Sequence, residues 1–173
     1  MRRGVSRWAA AALSGVIGSV ALTAPALASG NSTLACPPEY FYDITSSSSY
    51  HMPASGAYFK DGPGGTMTVS VTKATTITAT ASVSAGATVS GIVAEAKVEV
   101  SASIAQSNSI TVGHTYTRNI TAGKYGNAQY GSWGYNVGWR YYYTASSCST
   151  TLKSSGTAKV PTNAEGWRYW ETN

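Results

Sequence analysis

An all-β fold is predicted by three features of the sequence. Apolar and hydroxyl-bearing side chains alternate over long stretches, β-branched and aromatic residues are abundant, and helix-period apolar stripes are scarce. The expected architecture is a single domain, a sandwich or curled mostly antiparallel sheet with an extended N-terminal arm. Its divisions are a signal peptide over residues 1–28, an extended aromatic arm and loops over 29–65, and a β-rich domain over 66–173.

The first segment has the three parts of an export signal. Arg2, Arg3 and Arg7 supply charge, the run from Trp8 to Leu22 is apolar or small, and Ala26-Leu27-Ala28 is a small-x-small cleavage site. Thr23-Ala24-Pro25 interrupts the apolar run before the ~18 residues a membrane anchor needs. The residues after Arg2-Arg3 do not complete a twin-arginine signal, so the ordinary unfolded-export route and an extracellular location are expected. Cleavage lowers the formal charge from +5 to +2, leaving nine Lys and Arg against seven Asp and Glu. The remaining cations are scattered singly, so the sequence offers no stripe for a nucleic-acid partner.

Residues 29–65 read as mostly irregular. Pro37, Pro38, the Ser46 to Ser49 run, Pro53 and Gly62-Pro63-Gly64-Gly65 all resist regular elements. Tyr40, Phe41, Tyr42, Ile44, Tyr50, Tyr58 and Phe59 lie among them, and side chains that large are costly to leave in water. These seven are the expected partner-binding residues of the arm.

From Thr66 the period becomes two. Met67, Val69, Val71, Ile77, Ala79, Ala81 and Val83 fall on odd positions and Thr or Ser on even ones, with a break near Ala74. The parity reverses between Gly86 and Gly91, which requires a bulge, bend or turn. Ile92 to Ile104 then alternates on even positions. A helix competes there, since Val93-Ala94-Glu95-Ala96-Lys97 holds good helix formers, but the alternation and β-branching favour a strand. Ile110, Val112, Tyr116 and Ile120 continue an even face, and Ala122 to Asn127 is a turn. Tyr130 to Tyr143 is aromatic with punctuating glycines, and Tyr141-Tyr142-Tyr143 places rings on both faces, as a central strand does. The tail from Gly156 to Trp170 supplies a short final strand and an aromatic plug from Trp167, Tyr169 and Trp170.

Cys36 and Cys148 are the only cysteines. In an oxidising compartment the pair reads as a disulfide. With His51 and His114 they lack any close metal-ligand spacing, so no metal or other cofactor is expected. No glycine-flanked nucleophile elbow accompanies the serines, and no catalytic residue is assigned. Glu95 and Glu99, placed on one strand face, stand about 13 Å apart, too far for a glycosidase pair.

Twelve Tyr and five Trp are more than core packing alone demands, and both types favour recognition surfaces. Sugar stacking on Trp133, Trp139 or Trp167 makes a cell-wall or carbohydrate-binding module one alternative. The Thr/Ser-lined alternation from Thr66 to Ile120 makes a β-pore former another, although an alanine-rich face has weak lipid affinity.

The blocks GPGGTMTVSV (Gly62 to Val71), IVAEAKVEVSASI (Ile92 to Ile104), VGHTYTRNITAGKYGNAQYGSWGYNVGWRYYY (Val112 to Tyr143) and GWRYWET (Gly166 to Thr172) resemble small secreted actinobacterial proteins. Those are similar to the bridging, or adaptor, subunit of streptomycete umbrella toxin particles. The resemblance implies a noncatalytic adaptor that links a lectin-bearing subunit to a large polymorphic toxin subunit, in a particle directed at competing bacteria. It carries no contact residues over position by position.

Overall fold

The computed structural model describes residues 35–173; the signal-peptide reading and residues 29–34 of the arm lie outside them. The chain order is β1 (Glu39–Asp61), β2 (Gly65–Ser70), β3 (Thr75–Thr78), β4 (Thr80–Ala81), α1 (Val89–Glu99), β5 (Ser107–Ile110), β6 (Thr115–Ile120), β7 (Tyr125–Thr144) and β8 (Thr150–Thr172). The fold is all-β and antiparallel. β1, β7 and β8 are long strands of 23, 20 and 23 residues in one sheet ordered β1-β7-β8-β4.

The expectation of irregular structure over 29–65 is corrected for residues 39–61, which form the outermost strand of the main sheet. Prolines and serines are compatible with that position. An edge strand has one side without ladder bonds, so Pro53 and the exposed Ser46 to Ser49 interrupt nothing essential. Register shifts between Ile44 and Ser46 and between Pro53 and Tyr58 absorb the remaining irregularity as bulges. β1 therefore belongs to the β-rich body, and no domain boundary falls at residue 65.

The excursion between β1 and β7 is one bent ribbon. β2 pairs with β6 and β3 with β5, and Ser70 faces Thr115 just as Thr75 faces Ile110, five residues further along each strand. The break predicted near Ala74 is the bend between these two ladders, bridged by Val71 N–H to the His114 carbonyl at 3.0 Å. Beyond β3 the ribbon turns past the outer side of β8. β4 pairs there with Ala158 and Lys159, and Ala105 N–H donates to the Pro161 carbonyl.

The ribbon and the helix cover opposite faces of the main sheet, at opposite ends. Val137, Trp139 and Tyr141 of β7 pack with Ala158, Val160 and the α1 residues Ile92, Val93 and Ala96. The even-numbered Ala128 and Tyr130 pack instead with Met67, Ile77, Ile110 and Ile120 of the ribbon. Because side chains alternate along a strand, the odd positions of β7 define a helix face and the even ones a ribbon face. Among the described residues two surfaces stay uncovered: the ribbon face of the distal half, toward Thr144 of β7, and the helix face of the proximal half, toward Tyr125.

The strand expected over 92–104 is helix from Val89 to Glu99. Thr88 caps it, its hydroxyl accepting from Gly91 N–H at 3.1 Å, while Thr88 N–H donates to the Tyr42 hydroxyl at 2.8 Å. The alternation was shared by both readings: Ile92 and Ala96 are buried, but Val98, on the same even parity, is 83% exposed. Gly91 is required here, since a Cβ would run into the Tyr42 ring. The tail strand is also far longer than expected, because β8 pairs with nearly all of β7 from Thr144 to Tyr125. Tyr141 to Tyr143 lie on the central strand, as their two-faced pattern indicated.

At mid-sheet, residues 162–164 of β8 detour out of register between the pairs Gly134–Pro161 and Ser132–Glu165. The buried Ser132 holds the detour: its hydroxyl reaches the Thr162 carbonyl at 2.8 Å and accepts from the Asn108 amide at 3.2 Å. Thr162 in turn donates to the Trp133 carbonyl at 2.7 Å. Gly131 and Gly134 sit at the same level because a Cβ at either would strike the carbonyl of Met52 or Val160.

Candidate interaction surface

The structure does not gather the seven expected partner-binding residues on one surface. β1 alternates, so Tyr40, Tyr42 and Ile44 take the helix face, and Phe41, Tyr50 and Phe59 the opposite one. Tyr42 and Ile44 pack against the core beneath α1. Tyr50 and Phe59 pack against the core beneath the ribbon, Phe59 with its centroid 5.8 Å from that of Trp167. Only Tyr40, Phe41 and Tyr58 remain exposed, at 59%, 37% and 53%. Tyr40 lies on Tyr141 and Tyr143, with centroids at 5.4 and 4.7 Å, and Phe41 stacks on Tyr142 at 5.2 Å.

What these residues share is the strand that carries them. Among the described residues no strand pairs with the outer side of β1. Ile44 N–H points outward, donating to the Glu99 carboxylate at 3.3 Å. Backbone direction repeats every two residues, so Tyr42 and Tyr40 present their N–H and C=O groups outward too. Glu95, one helical turn from Glu99, has its carboxyl held above the usual range, first by burial and then by the Glu99 and Asp43 charges. The middle of the edge, Ser46 to Ser49, is bordered only by small exposed side chains. An unpaired edge this long is a template for another chain unless it is blocked.

Cys36 and Cys148 form the expected disulfide. It joins the residues just before β1 to the turn between β7 and β8, so it secures one end of the open edge. A disulfide accords with an oxidising compartment.

The titratable groups do not assemble a nucleophilic triad around either histidine. His114 Nε2 lies 3.0 Å from the Thr111 hydroxyl and 3.7 Å from the Glu165 carboxylate, so one nitrogen faces both groups. A triad needs the hydroxyl and the carboxylate on different ring nitrogens. Glu165 also accepts from the Tyr130 hydroxyl at 3.1 Å, and burial followed by that contact pushes the Tyr130 phenol up to about 12. Glu95 and Glu99 are not strand neighbours but lie one turn apart on α1, which replaces the spacing inferred for them. No group of three metal-ligating side chains is found among the described residues.

His51, expected in an irregular segment, is buried on β1. Its Nε2 lies 3.2 Å from the Gly166 carbonyl, its Nδ1 has no partner, and its ring meets Trp133 edge-on. Burial chiefly, with the Arg168 charge, lowers its pKa, against the opposing Gly166 hydrogen bond. The unfolded chain, with an ordinary value of about 6.5, therefore binds the proton more readily than the native state. Stability from this group is complete above that value and is lost as pH falls toward the lower native one. The melting temperature is expected to fall between pH 7 and pH 5, and His51→Gln to flatten that slope; identical slopes in thermal melts of the two proteins contradict this.

Of the three tryptophans considered for sugar stacking, Trp139 is 1% exposed and Trp167 packs against the core, leaving Trp133 at 40%. Arg168 and Lys60 were not singled out in the sequence, and Trp170 was read there only as part of an aromatic plug. Their grouping with Trp133 and Tyr58 depends on long-range register, for which a local pattern carries no signal. The pore-forming alternative meets a specific obstacle in the ribbon. Met67 pairs with Arg118, Val71 lies opposite His114, and Ile77 pairs with Asn108. The face that would enter lipid thus carries a cation, an imidazole and an amide, and a cation at mid-bilayer costs about 2–4 kcal/mol. No helix among the described residues is long and apolar enough to cross a membrane.

No family model matches the sequence, and neither the curated proteins nor the solved structures show a recognisable relative.

Proposed function

We propose that this chain is a noncatalytic secreted adaptor, which links a lectin-bearing subunit to a large polymorphic toxin subunit in an extracellular antibacterial particle. The observation that carries the adaptor reading is the unpaired outer side of β1, 23 residues long and flanked at its start by the exposed rings of Tyr40 and Phe41. A partner strand laid along it gains main-chain hydrogen bonds, and alternate side-chain positions supply specificity. The sequence resemblance supplies the identity of the partners, and the export signal together with the disulfide supports an extracellular setting.

Affinity purification of the tagged protein from its native culture fluid tests the reading. The expected result is co-purification of a lectin-containing chain and a much longer toxin chain. Tyr40→Pro removes one outward N–H and an exposed ring without touching a bond to β7. It is expected to reduce recovery of at least one partner by about tenfold, the worth of a main-chain hydrogen bond plus ring burial. Absence of both partners from the wild-type eluate, or equal recovery with Tyr40→Pro, overturns the proposal. Near-ultraviolet circular dichroism of the variant shows that the sheet has folded.

A further inference from the structure

The uncovered helix face of the proximal half has a composition unlike the rest of the surface. Register places Tyr58, Gln129 and Arg168 side by side across β1, β7 and β8, with Lys60, Asn127 and Trp170 as the next row. Trp133 stands four residues further along β7, and its indole lies against Gly166. At about 3.3 Å per residue, the rings extend over roughly 20 Å along the strand, from Trp133 to the Trp170 row.

The rings are held in place. The Tyr58 hydroxyl donates to Asn127 Oδ1 at 2.8 Å, and Asn127 is buried, its amide donating to the Tyr125 carbonyl at 3.3 Å and the Thr172 hydroxyl at 3.2 Å. The exposed Tyr58 ring is thereby fixed over Trp170, with centroids 6.1 Å apart and planes 27° from parallel. Trp133 is steadied by the edge of His51, with centroids 4.7 Å apart. Rings that are immobilised before binding lose little entropy when a ligand arrives.

The charge on this face has one sign. Arg168 lies over the Trp170 ring at 5.3 Å and Lys60 over Tyr125 at 4.6 Å, and among the described residues neither forms an ion pair. The nearby carboxylates Asp61, Glu165 and Glu171 occupy the alternate register positions and face the ribbon side. No Asp or Glu shares a row with the rings.

From the fixed rings, the interleaved amide of Gln129 and the unopposed cations, we infer that this face binds a linear acidic polysaccharide. Sugar rings lie on the exposed Trp133 and Tyr58, Trp170 backs Tyr58 and Arg168, and sugar carboxylates meet Arg168 and Lys60. Arg168 offers the planar fork that a carboxylate accepts. A protein partner is the poorer fit, since no exposed aliphatic cluster accompanies the rings. The inference does not rest on partner binding at the β1 edge, which is tested at Tyr40, near the opposite end of that strand from Tyr58 and Lys60.

Affinity electrophoresis of the folded protein with polygalacturonate tests it, with dextran as the neutral chain and oligo-dT as a polyanion with stackable bases. Polygalacturonate is expected to retard the wild type, and dextran and oligo-dT to do so at least tenfold less well. Arg168→Gln and Trp133→Ala should each weaken retardation by about tenfold, the worth of a charge-assisted hydrogen bond or a stacked ring. Arg140→Gln, an exposed cation on the opposite face, should leave it unchanged. Failure of polygalacturonate to retard the wild type, equal or stronger retardation by dextran or oligo-dT, or an equal loss in Arg140→Gln overturns the inference. Unchanged thermal melts establish that Arg168→Gln and Trp133→Ala still fold; if Trp133→Ala does not, Arg168→Gln decides alone.

Discussion

Trp139→Ala is expected to destabilise the fold by about 3–5 kcal/mol, read as a lower urea midpoint. The indole is 1% exposed at the centre of the core shared by β7, β8 and α1. Its neighbours in register are Ile44 on one side and Gly156 on the other, and its ring covers Gly156, where a Cβ would stand 3.3 Å from Cζ2. A glycine has no side chain to move into the space, so the cavity stays open. The buried indole N–H has no acceptor, so Trp139→Phe removes an unsatisfied donor along with part of the ring and should cost less than the alanine. Val98→Ala is the matching control. Because Val98 projects from α1 into solvent, its change should stay within about 0.5 kcal/mol. Equal midpoint shifts for Trp139→Ala and Val98→Ala would sink this account of the core, and a large shift for Val98→Ala would favour a strand over residues 92–104.

Removing the disulfide is expected to cost about 4–5 kcal/mol, because the bond closes a loop between positions 112 residues apart and restricts the unfolded chain accordingly. A paired replacement, Cys36→Ser with Cys148→Ser, avoids leaving a free thiol. The loss should also be visible locally. Cys36 lies three residues before β1, and Cys148 sits in the β7–β8 turn, held in a left-handed conformation with its N–H donating to the Ala145 carbonyl at 2.9 Å. Without the bond, the first residues of the outer strand depend on one ladder to β7 and on the stack of Tyr40 with Tyr141 and Tyr143. Hydrogen-exchange protection is therefore expected to fall first over residues 39–44, with the middle of β7 least affected. A double variant with the wild-type denaturation midpoint and unchanged protection over that segment refutes this role.

Both effects bear on the proposed functions. The disulfide secures the end of the edge on which partner pairing is proposed, whereas Trp139 supports α1, whose Glu99 reaches the same edge. The acidic-polysaccharide face lies at the other end of the sheet and should tolerate either change so long as the domain folds.

Of the alternation read from Thr66 to Val83 and from Ile110 to Ile120, the structure keeps β2, β3, β4 and β6 as strands, while Val83 and Val112 fall outside them, and the bend lies at the predicted break near Ala74. The aromatic run at 130–143 is likewise the central strand its two-sided rings indicated. The seven aromatic and aliphatic residues of the N-terminal segment were identifiable as needing cover. The sequence did not distinguish cover by a partner from cover by the chain itself, and for Tyr42, Ile44, Tyr50 and Phe59 the chain supplies it. Ile92 to Val100 was ambiguous for a definite reason: buried Ile92 and Ala96 satisfy a period of two and a period of 3.6 equally, and a capping threonine with a tyrosine from a distant strand selected the helix.

Local side-chain chemistry by itself determined the all-β class, the disulfide and the break near Ala74, since each follows from residue types at short spacing or from the only available cysteine pair, whereas the pairing that makes the ribbon is long-range. Tertiary structure alone decided that residues 39–61 are an edge strand, that helix and ribbon cover opposite faces, and that Trp133, Tyr58, Arg168 and Trp170 share one surface. Those outcomes depend on the register of three strands brought together across a hundred residues of chain. A one-residue shift in that register would turn every one of these side chains to the other face.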